Sequence, residues 1–231
     1  MIKFWTYRRE YKKIRTELLK KIDTSINRGT IFFGKELLKF EKDFIKKYKG
    51  QYGFAVRSGT DALLISLKAL GIKKGDEVIT AANTAIPTIS AIINSGAKPR
   101  LVDVGDDYLM KPNKIENEIT KKTKAIIPVH LYGQSCDMDK IIRIAKKNKL
   151  AIVEDCAQSQ GSKYKNKYTG TFGKFGCFSF YPTKILGAYG DGGFILTKDY
   201  KLFKKAKRMR FYGIETVDKK NKFKNKYNSN E

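Results

Sequence analysis

Gly53-Phe54-Ala55-Val56-Arg57-Ser58-Gly59-Thr60-Asp61-Ala62-Leu63 joins a short apolar run to an amphipathic segment through a glycine and two hydroxyl residues. The apolar run at 53–56 predicts a buried strand, and the spacing of apolar residues at 61–70 predicts a helix. A strand that passes through a short turn into a helix is the unit from which parallel sheets are built. This stretch therefore favours an α/β fold.

The same alternation continues from here toward the C-terminus. Further apolar runs predict strands at 77–80, 99–102, 125–129, 151–154, 177–180 and 193–196. Segments with helical spacing lie near 87–94, 114–119 and 138–148. Such an alternation is typical of a three-layer α/β/α fold with a mostly parallel central sheet, helices on both faces and right-handed crossovers.

Three regions of different composition divide the chain. Residues 1–50 carry two amphipathic segments, 7–26 and 36–48, and predict an N-terminal helical arm. Residues 51–215 hold the strand–helix alternation and end with a basic helix at 200–210. Residues 216–231 are basic and polar, which predicts a tail that has no core of its own.

Composition and cysteine usage bound the class of protein. With 231 residues, 41% of them hydrophobic, the chain is long enough for one large domain with a core. It has no apolar run of membrane-spanning length and no secretory signal, so we expect a cytoplasmic protein without a membrane partner. Cys136, Cys156 and Cys177 lack C-x-x-C spacing, which predicts reduced, buried thiols and neither a disulfide nor a metal site.

The formal net charge of +25 raises the question of a nucleic-acid partner. Most of the basic residues are lysines, and they are scattered over the predicted helix faces instead of forming one stripe. Arginine, which reads bases and phosphates in a bidentate geometry, is scarce. The charge therefore favours a solvated surface that attracts anionic substrates, and disfavours a nucleic-acid partner.

Two further runs bring an amine and a carboxylate to the ends of predicted strands. Phe178-Ser179-Phe180-Tyr181-Pro182-Thr183-Lys184 ends in a turn that presents an amine, and Val153-Glu154-Asp155-Cys156-Ala157-Gln158 carries an acid after a buried strand. Pyridoxal 5′-phosphate (PLP) chemistry needs such a pair, because the lysine bonds the aldehyde while the acid keeps the pyridine nitrogen protonated. The alternatives are a loop cap for Asp155 and an ordinary surface lysine for Lys184.

A phosphate site is predicted beside this pair. Gly59 and Thr60 open a helix after a strand, where free N–H groups bind anions, and Ser179 adds a hydroxyl. An ordinary helix N-cap is the alternative for this turn. Gln158 is close enough in sequence to Asp155 to reach the phenolic oxygen of the same ring. His130, the one histidine, follows a buried strand and is predicted to be a core residue outside the site.

Taken together, these runs resemble the DegT/DnrJ/StrS family of sugar-nucleotide aminotransferases, which are PLP enzymes of fold type I. The resemblance extends from the segment around Phe4 and Trp5 to Asn228, in runs of matching order and spacing. The runs are R-S-G-T-D-A-L at 57–63, G-D-E-V-I-T at 75–80, A-N-T-A-I-P-T at 82–88, T-K-A-I-I-P-V-H-L-Y-G at 123–133, V-E-D-C-A-Q at 153–158 and F-S-F-Y-P-T-K at 178–184. The resemblance implies the large PLP-binding domain for 51–215 and, at 216–231, the start of a smaller C-terminal domain whose remainder is missing.

The resemblance also implies roles for single residues. Lys184 would be the Schiff-base lysine and proton shuttle, Asp155 would pair with the pyridine nitrogen, and Gln158 would bond the ring hydroxyl. The phosphate would be bound by Gly59, Thr60, Ser179 and, from the neighbouring subunit, Asn228. Members are usually homodimers that move an amino group from glutamate to the keto group of a nucleotide-linked deoxyhexose. The opening run F-W-T-Y-R-R-E-Y, together with E-D-C-A-Q, is most similar to members acting on dTDP-linked 3-keto-6-deoxyhexoses.

The chain departs from the family pattern at three places. Ala85 stands where many members carry an aromatic residue stacked on the cofactor, and Asn230 stands where an arginine usually follows. The third departure is the incomplete smaller domain, which keeps two alternatives open: half of a split enzyme, and a non-catalytic regulatory or binding protein with a PLP fold. A related dehydratase, in which histidine replaces the lysine, is disfavoured by Lys184.

Overall fold

The structure, a computed structural model, describes Thr6 and residues 8–29 and 32–213. The chain divides into two compact units, one ending at Phe44 and the other beginning at Ile45. The predicted division into an arm at 1–50 and a large domain at 51–215 stays a prediction. The predicted tail at 216–231 lies outside the described residues.

The first unit is helical. It contains α1 (Arg8–Asn27) and most of α2 (Lys35–Tyr48), in agreement with the two amphipathic segments of the sequence. Gly29 follows α1 with φ 65°, a left-handed value that lets the chain leave a helix at no steric cost. Arg28, at the end of α1, forms an ion pair at 3.2 Å with Glu36 in the first turn of α2.

A seven-stranded sheet forms the centre of the second unit. Its strands, in chain order, are β1 (Tyr52–Val56), β2 (Glu77–Ala81), β3 (Lys98–Val102), β4 (Thr123–Ile127), β5 (Ala151–Asp155), β8 (Phe175–Ser179) and β9 (Gly193–Thr197). The order in space is β1-β9-β8-β5-β4-β2-β3. Only β9 runs antiparallel to its neighbours, β1 and β8, and every other adjacent pair is parallel. The prediction of a mostly parallel sheet is confirmed.

Helices connect and cover these strands. They are α3 (Gly59–Ala69), α4 (Ile86–Asn94), α5 (Pro112–Ile115), α6 (Met138–Lys147) and α7 (Tyr200–Met209). Helix α3 contacts α4 and α7, whereas α6 contacts α5. The chain moves toward the β3 edge through α3 and α4 and away from it through α5 and α6, so right-handed crossovers put these two groups on opposite faces. The predicted three-layer α/β/α class is confirmed.

The sequence of the central strands reflects burial on both faces. Every residue of β2, β8 and β9 is buried, so apolar and exposed polar residues do not alternate along these strands. The largest fully buried side chains include Phe54, Phe175, Phe178 and Phe194, which come from neighbouring strands of the sheet. Their burial provides the main hydrophobic stabilisation of this part of the sheet.

Two local predictions differ from the structure. The helix predicted at 114–119 is a single α-turn, α5, continued by a 3-10 turn at Glu116–Glu118. A small hairpin, β6 (Lys163–Tyr164) with β7 (Lys167–Tyr168), was not predicted. Its turn residues Lys165 and Asn166 have φ 45° and 65°, values that asparagine tolerates and lysine rarely adopts. Two-residue strands carry too little periodicity to be recognised in a sequence.

The carboxyl ends of the parallel strands lie at one edge of the sheet. Strands β1, β8, β5, β4 and β2 run in the same direction, so their carboxyl ends meet at that edge. Ligands in open α/β sheets bind outside the carboxyl ends of the strands. None of the helices in the described part of the chain is both long and apolar enough to cross a membrane.

Candidate active site

A cavity of about 280 Å³ opens at the carboxyl edge of the sheet. Six residues singled out from the sequence line it together: Gly59, Thr60, Asp155, Gln158, Ser179 and Lys184. They come from three separate segments: the start of α3 after β1, the end of β5 with the turn after it, and the end of β8 with the loop after it. Asn228 lies outside the described residues, so its predicted place in the site stays a prediction.

Asp155 is held at the floor of the cavity by two hydrogen bonds. It ends β5 and is buried, and its two carboxylate oxygens accept hydrogen bonds, one from the Thr88 hydroxyl at 2.8 Å and one from the Ala157 N–H at 3.0 Å. The Thr84 hydroxyl in turn donates to Thr88 at 2.8 Å. Burial raises the pKa of Asp155 above its ordinary value, while these two bonds and the charge of Lys184 act to lower that pKa. A cation in the cavity would favour the ionised carboxylate further.

Gln158 lies at the cavity wall in a defined orientation. Its side-chain oxygen accepts a hydrogen bond from the Tyr132 N–H at 3.2 Å, and its main-chain oxygen accepts one from the Gly133 N–H at 3.0 Å. The loop after β4 thus fixes the orientation of the Gln158 amide. The amide oxygen is bonded to this loop, and the amide NH₂ group remains as a donor for a ligand.

The N-terminus of α3 forms one end of the cavity. The hydroxyl of Ser58, the N-cap, accepts from the Asp61 N–H at 3.1 Å, which confirms the capping interaction considered for this turn. The N–H groups of Gly59 and Thr60 belong to the first turn, where a helix offers them no internal acceptor. With the helix dipole behind them, they are suited to bind an anion. Capping and anion binding therefore use different groups of the same turn.

Gly59 and Ser179 approach each other closely. A Cβ atom added at Gly59 would lie 2.6 Å from the Cβ of Ser179, so only glycine allows this approach. The Ser179 hydroxyl accepts from the Tyr181 N–H at 3.2 Å, which leaves its proton to donate into the cavity. The start of α3 and the end of β8 therefore offer two main-chain donors and one hydroxyl at the same place.

Lys184 lies in the loop that joins β8 to β9. Its N–H donates to the Tyr181 carbonyl at 2.8 Å, and the loop is closed by the bond from the Phe180 N–H to the Gly192 carbonyl at 2.7 Å. The Lys184 side chain lines the same cavity as Asp155, and its charge acts on the pKa of that carboxyl. The amine and the acid are therefore brought together, as the sequence predicted.

Gln160 ties the two walls of the cavity together and was not recognised from the sequence. This buried side chain donates from its NH₂ group to the Ser179 carbonyl and accepts from the Leu186 N–H at 3.4 Å. It thus connects the turn after Asp155 with both ends of the segment that carries Lys184. Thr88, which orients Asp155, was also missed. Gln160 follows one of the runs quoted above and Thr88 ends another, and only their side-chain contacts distinguish them from their neighbours in the chain.

A buried polar cluster lies beside the cavity, around Glu154. Its carboxylate accepts from the N–H groups of Gly170, Phe172 and Gly173, each at 2.7 Å, and from His130 Nε2 at 3.2 Å. The other ring nitrogen of His130 accepts from the Cys136 N–H at 3.1 Å. His130 is fully buried with both ring nitrogens bonded, in agreement with its prediction as a core residue.

His130, Glu154 and Cys156 lie close enough together to be compared with a metal site. Four donors already surround the Glu154 oxygens, and a histidine that accepts from a main-chain N–H has no lone pair to offer on that side. Burial raises the pKa of the Cys156 thiol well above its ordinary value, and a thiol is a poor ligand. The chemistry of this donor set indicates a structural network.

The donors and charges of the cavity suit a phosphorylated, cationic aromatic aldehyde such as PLP. An anion-binding helix end, a buried carboxylate and a lysine amine surround one space that is large enough for one small ligand. Ala85 and Ala157 also line the cavity, and their small side chains leave room for a planar ring. Ala85 contributes a methyl group where the family resemblance implied an aromatic ring.

Comparison with known proteins agrees with this geometry. The sequence pattern of the DegT/DnrJ/EryC1/StrS aminotransferase family matches residues 12–230. A dTDP-3-amino-3,4,6-trideoxy-alpha-D-glucose transaminase from Micromonospora megalomicea subsp. nigra is 41% identical over 214 residues, covering 92% of this chain and 57% of the relative. A pleiotropic regulatory protein from Geobacillus stearothermophilus is 41% identical over 205 residues, covering 88% of this chain and 55% of the relative.

Solved structures show the same likeness. The X-ray structure of S. venezuelae DesV in complex with a ketimine intermediate superimposes with a TM-score of 0.89 at 36% identity. The match covers 95% of this chain and 60% of DesV. The chain therefore spans little more than half the length of the proteins that it resembles.

Proposed function

The chain belongs to the DegT/DnrJ/EryC1/StrS aminotransferase family, whose members depend on PLP, and on that premise we propose that it carries PLP on Lys184 and moves an amino group from glutamate to the keto group of a nucleotide-linked deoxyhexose. One observation carries this proposal: Lys184, Asp155 and the N-terminus of α3 line the same cavity. A dTDP-linked 3-keto-6-deoxyhexose is the proposed acceptor, supported by the named activity of the Micromonospora relative.

We assign the cofactor-holding roles as follows. Lys184 Nζ holds the cofactor covalently, and the N–H groups of Gly59 and Thr60 together with the Ser179 hydroxyl bind its phosphate. The Asp155 carboxylate keeps the ring nitrogen protonated, and the Gln158 NH₂ group donates to the ring hydroxyl. The support for these roles is that each group reaches the cavity with the required donor or acceptor still to offer.

The amino transfer requires a proton to be moved between two carbons. When bound, PLP supplies an aldehyde that accepts the amino group and a ring that takes up electrons. The Lys184 amine acts first as base and then as acid, which its place in the cavity allows. Thr88 and the Ala157 N–H hold the Asp155 carboxylate in one orientation, so its charge stays directed at the ring nitrogen while the proton moves.

We further infer that the protein is a cytoplasmic homodimer, in which Asn228 of one copy reaches the phosphate bound by the other. The support is the family resemblance of the run at 228–230. Replacement of Asn228 by alanine should weaken PLP binding without changing the sedimentation of the dimer. A monomeric chain, or an Asn228→Ala variant with unchanged PLP affinity, would contradict this inference.

Absorption spectroscopy and product analysis test the proposed function. The purified chain should turn yellow on addition of PLP, and reduction with borohydride should fix the cofactor to Lys184 in a peptide map. Lys184→Ala should lose the colour, whereas Lys165→Ala, a change on the exposed hairpin, should keep it. Incubation with glutamate should bleach the colour and release 2-oxoglutarate, and the keto sugar should restore the colour. A colourless wild-type chain would exclude the proposal.

A regulatory role is the second candidate. It is favoured by one comparison, the Geobacillus relative described as a pleiotropic regulatory protein at 41% identity. The same titration separates the two roles. A chain that binds PLP on Lys184 but releases no 2-oxoglutarate from glutamate would be a PLP-binding regulator, and release of 2-oxoglutarate in stoichiometric amounts would exclude that role.

A further inference from the structure

Two tyrosines form an exposed aromatic pair beside the cavity. The rings of Tyr108 and Tyr132 meet edge to face, with centroids 6.4 Å apart and an interplanar angle of 81°. Their exposed fractions are 64% and 62%. This exposure leaves a large apolar ring surface of each tyrosine in contact with solvent. Neither residue was predicted from the sequence to take part in a site.

The backbone of both tyrosines is strained. Their φ values are 59° and 56°, in the left-handed region that bulky side chains rarely adopt. Tyr132 and Gly133 are the central residues of a turn closed by the bond from the Gln134 N–H to the Leu131 carbonyl at 2.8 Å. Turns of this kind favour Asn-Gly or Gly-Gly, so a tyrosine there costs stability that function can explain.

Both tyrosines are anchored to the cavity wall. The Tyr132 N–H donates to the side chain of Gln158, and the neighbouring Leu131 lines the cavity. The Asn83 side chain donates to the Tyr108 carbonyl at 2.9 Å, and Thr84, the next residue, also lines the cavity. The pair therefore stands at the rim of the cavity, fixed from two directions by residues that form its wall.

The volume of the cavity limits how much of a substrate can enter it, and the remainder must lie against the rim at Tyr108 and Tyr132. Ligand pockets for small molecules measure about 300–1,000 Å³, and the cavity of about 280 Å³ has room for one small ligand such as the cofactor. A nucleotide-linked sugar that reacts at the cofactor must then leave its nucleotide outside, against the rim. An exposed aromatic pair is suited to bind a planar ring, because any of the nucleic-acid bases can stack on a tyrosine side chain.

From this arrangement we propose that Tyr108 and Tyr132 form a binding site for the nucleoside base of the sugar-nucleotide substrate. The inference rests on the proposed function and deepens it, since it names the residues that hold the part of the substrate farthest from the reacting carbon. One tyrosine stacks on the base and the other contacts its edge, in the arrangement that the two rings already have with each other.

Calorimetric titration of the full chain with dTDP and with inorganic pyrophosphate tests this site. Asparagine tolerates a left-handed backbone, so Tyr108→Asn and Tyr132→Asn remove the rings while keeping the turns. The double variant should bind dTDP at least about tenfold more weakly, and its affinity for pyrophosphate should not change. Tyr132→Phe should bind dTDP like the wild type. Tyr212→Asn is the matched control, because Tyr212 is 89% exposed with φ 51° and neither it nor its neighbours at 210–213 line the cavity.

Four results would overturn the inference. These are unchanged dTDP affinity in the double variant, an equal loss of pyrophosphate affinity, a wild-type chain that does not bind dTDP, and saturation transfer from the protein to the deoxyribose protons but not to the thymine protons. A fifth is a change in sedimentation from dimer to monomer in the double variant, which would identify the pair as a contact between two copies of the chain.

The titration is run with and without PLP, so its outcome does not depend on the cofactor. Visible absorption on PLP addition reports the proposed function separately. A chain that takes up PLP but shows no ring-dependent dTDP binding refutes the base site and leaves the aminotransferase proposal standing. A chain that binds dTDP through the tyrosines but takes up no PLP refutes the aminotransferase proposal and supports the base site.

Discussion

Asp155 is buried, and the role that we propose for it needs a charged carboxylate. Burial raises the pKa of its carboxyl, and the bonds from Ala157 and Thr88 only partly oppose that effect. A cationic ring nitrogen would supply the remaining stabilisation, because an opposite charge at close range favours the ionised form. The carboxylate is therefore suited to a bound cation more than to an empty cavity.

The stability of the cofactor-free protein should report this burial. Because the pKa of Asp155 is raised by folding, the folded state binds more protons than the unfolded state between the ordinary pKa of 3.8 and the raised one. The free energy of unfolding should therefore fall as pH rises through that window, and Asp155→Asn should flatten the dependence. Urea unfolding at a series of pH values measures both slopes.

Asp103 provides a control of opposite sign. Its pKa is lowered by the Lys114 side chain, so its contribution to stability is lost as pH falls, and Asp103→Asn should leave the slope assigned to Asp155 in place. A cofactor-free Asp155→Asn protein with the same pH dependence as the wild type would disprove the assignment.

Gln160 should position Lys184 without contacting the cofactor. Gln160→Ala removes the bridge between the Ser179 carbonyl and the Leu186 N–H, which loosens the loop that carries the amine. We expect PLP affinity to fall about tenfold and the free energy of unfolding by about 1–3 kcal/mol, because buried partners lose their hydrogen bonds. Absorbance titration with PLP and thermal unfolding measure the two effects.

Gln134→Ala is the matched control for this change, because Gln134 is exposed in the turn after β4. It should leave both quantities within experimental error. A Gln160→Ala protein that unfolds more readily but binds PLP with wild-type affinity, and whose visible band has an unchanged pH profile, would show that Gln160 is structural only.

At the scale of elements, β5 supplies two carboxylates with opposite surroundings. Asp155 faces the cavity, whereas the preceding Glu154 points the other way, as alternation along a strand requires, and fastens the turn at 170–173 and His130. The turn leads directly into β8, which ends at Ser179. Glu154 thus fixes the turn that leads into the strand carrying Ser179 and, after it, the loop of Lys184.

Replacement of Glu154 should destabilise the whole unit. Glu154→Gln keeps the shape but turns one acceptor into a donor that faces main-chain N–H groups, so we expect a loss of about 3–5 kcal/mol in the free energy of unfolding. Glu116→Gln, which breaks an exposed pair with Lys147, should cost no more than about 1 kcal/mol. Chemical unfolding of both variants gives the comparison, and equal losses would refute the proposed role of Glu154.

For the whole molecule, the dominant physical feature is the formal net charge of +25. Acidic residues number 23 against 48 basic ones, so 25 positive charges would remain even if every carboxylate formed an ion pair like Lys39–Asp43 or Lys114–Asp103. Such an excess attracts anions over distances set by the ionic strength. Phosphorylated ligands are the ones that this field favours.

The rate of PLP association should therefore depend on salt. Stopped-flow absorbance should show a decrease of several-fold between about 20 and 500 mM NaCl, because the Debye length shrinks to a few ångströms. Pyridoxal, which lacks the phosphate, serves as the control and should associate at a nearly constant rate. Equal salt dependence for the two compounds would rule out steering by the protein charge.

The outline of the fold was predictable from the sequence because its elements are locally encoded. Period and burial within 5–10 residues distinguish strands from helices, and the predicted strands differ from the structure mainly at their ends, as at β8. The hairpin β6–β7 escaped because its strands are too short to carry a period. The motif residues Gly59, Thr60, Asp155, Gln158, Ser179 and Lys184 were selected by residue type and by the turns that they occupy, and their roles stay predictions.

The sequence by itself determined the elements, the class and the groups available for chemistry. Only the tertiary structure decided that β8 lies beside β5 and that Thr88 reaches Asp155, because strand order and side-chain partners depend on contacts between segments distant in the chain. The spacing of apolar residues likewise could not predict the strained backbone of Tyr108 and Tyr132 or the hydrogen bonds of Gln160. The sequence pattern of a segment predicts its secondary structure, whereas the packing of segments against one another determines which side chains come into contact.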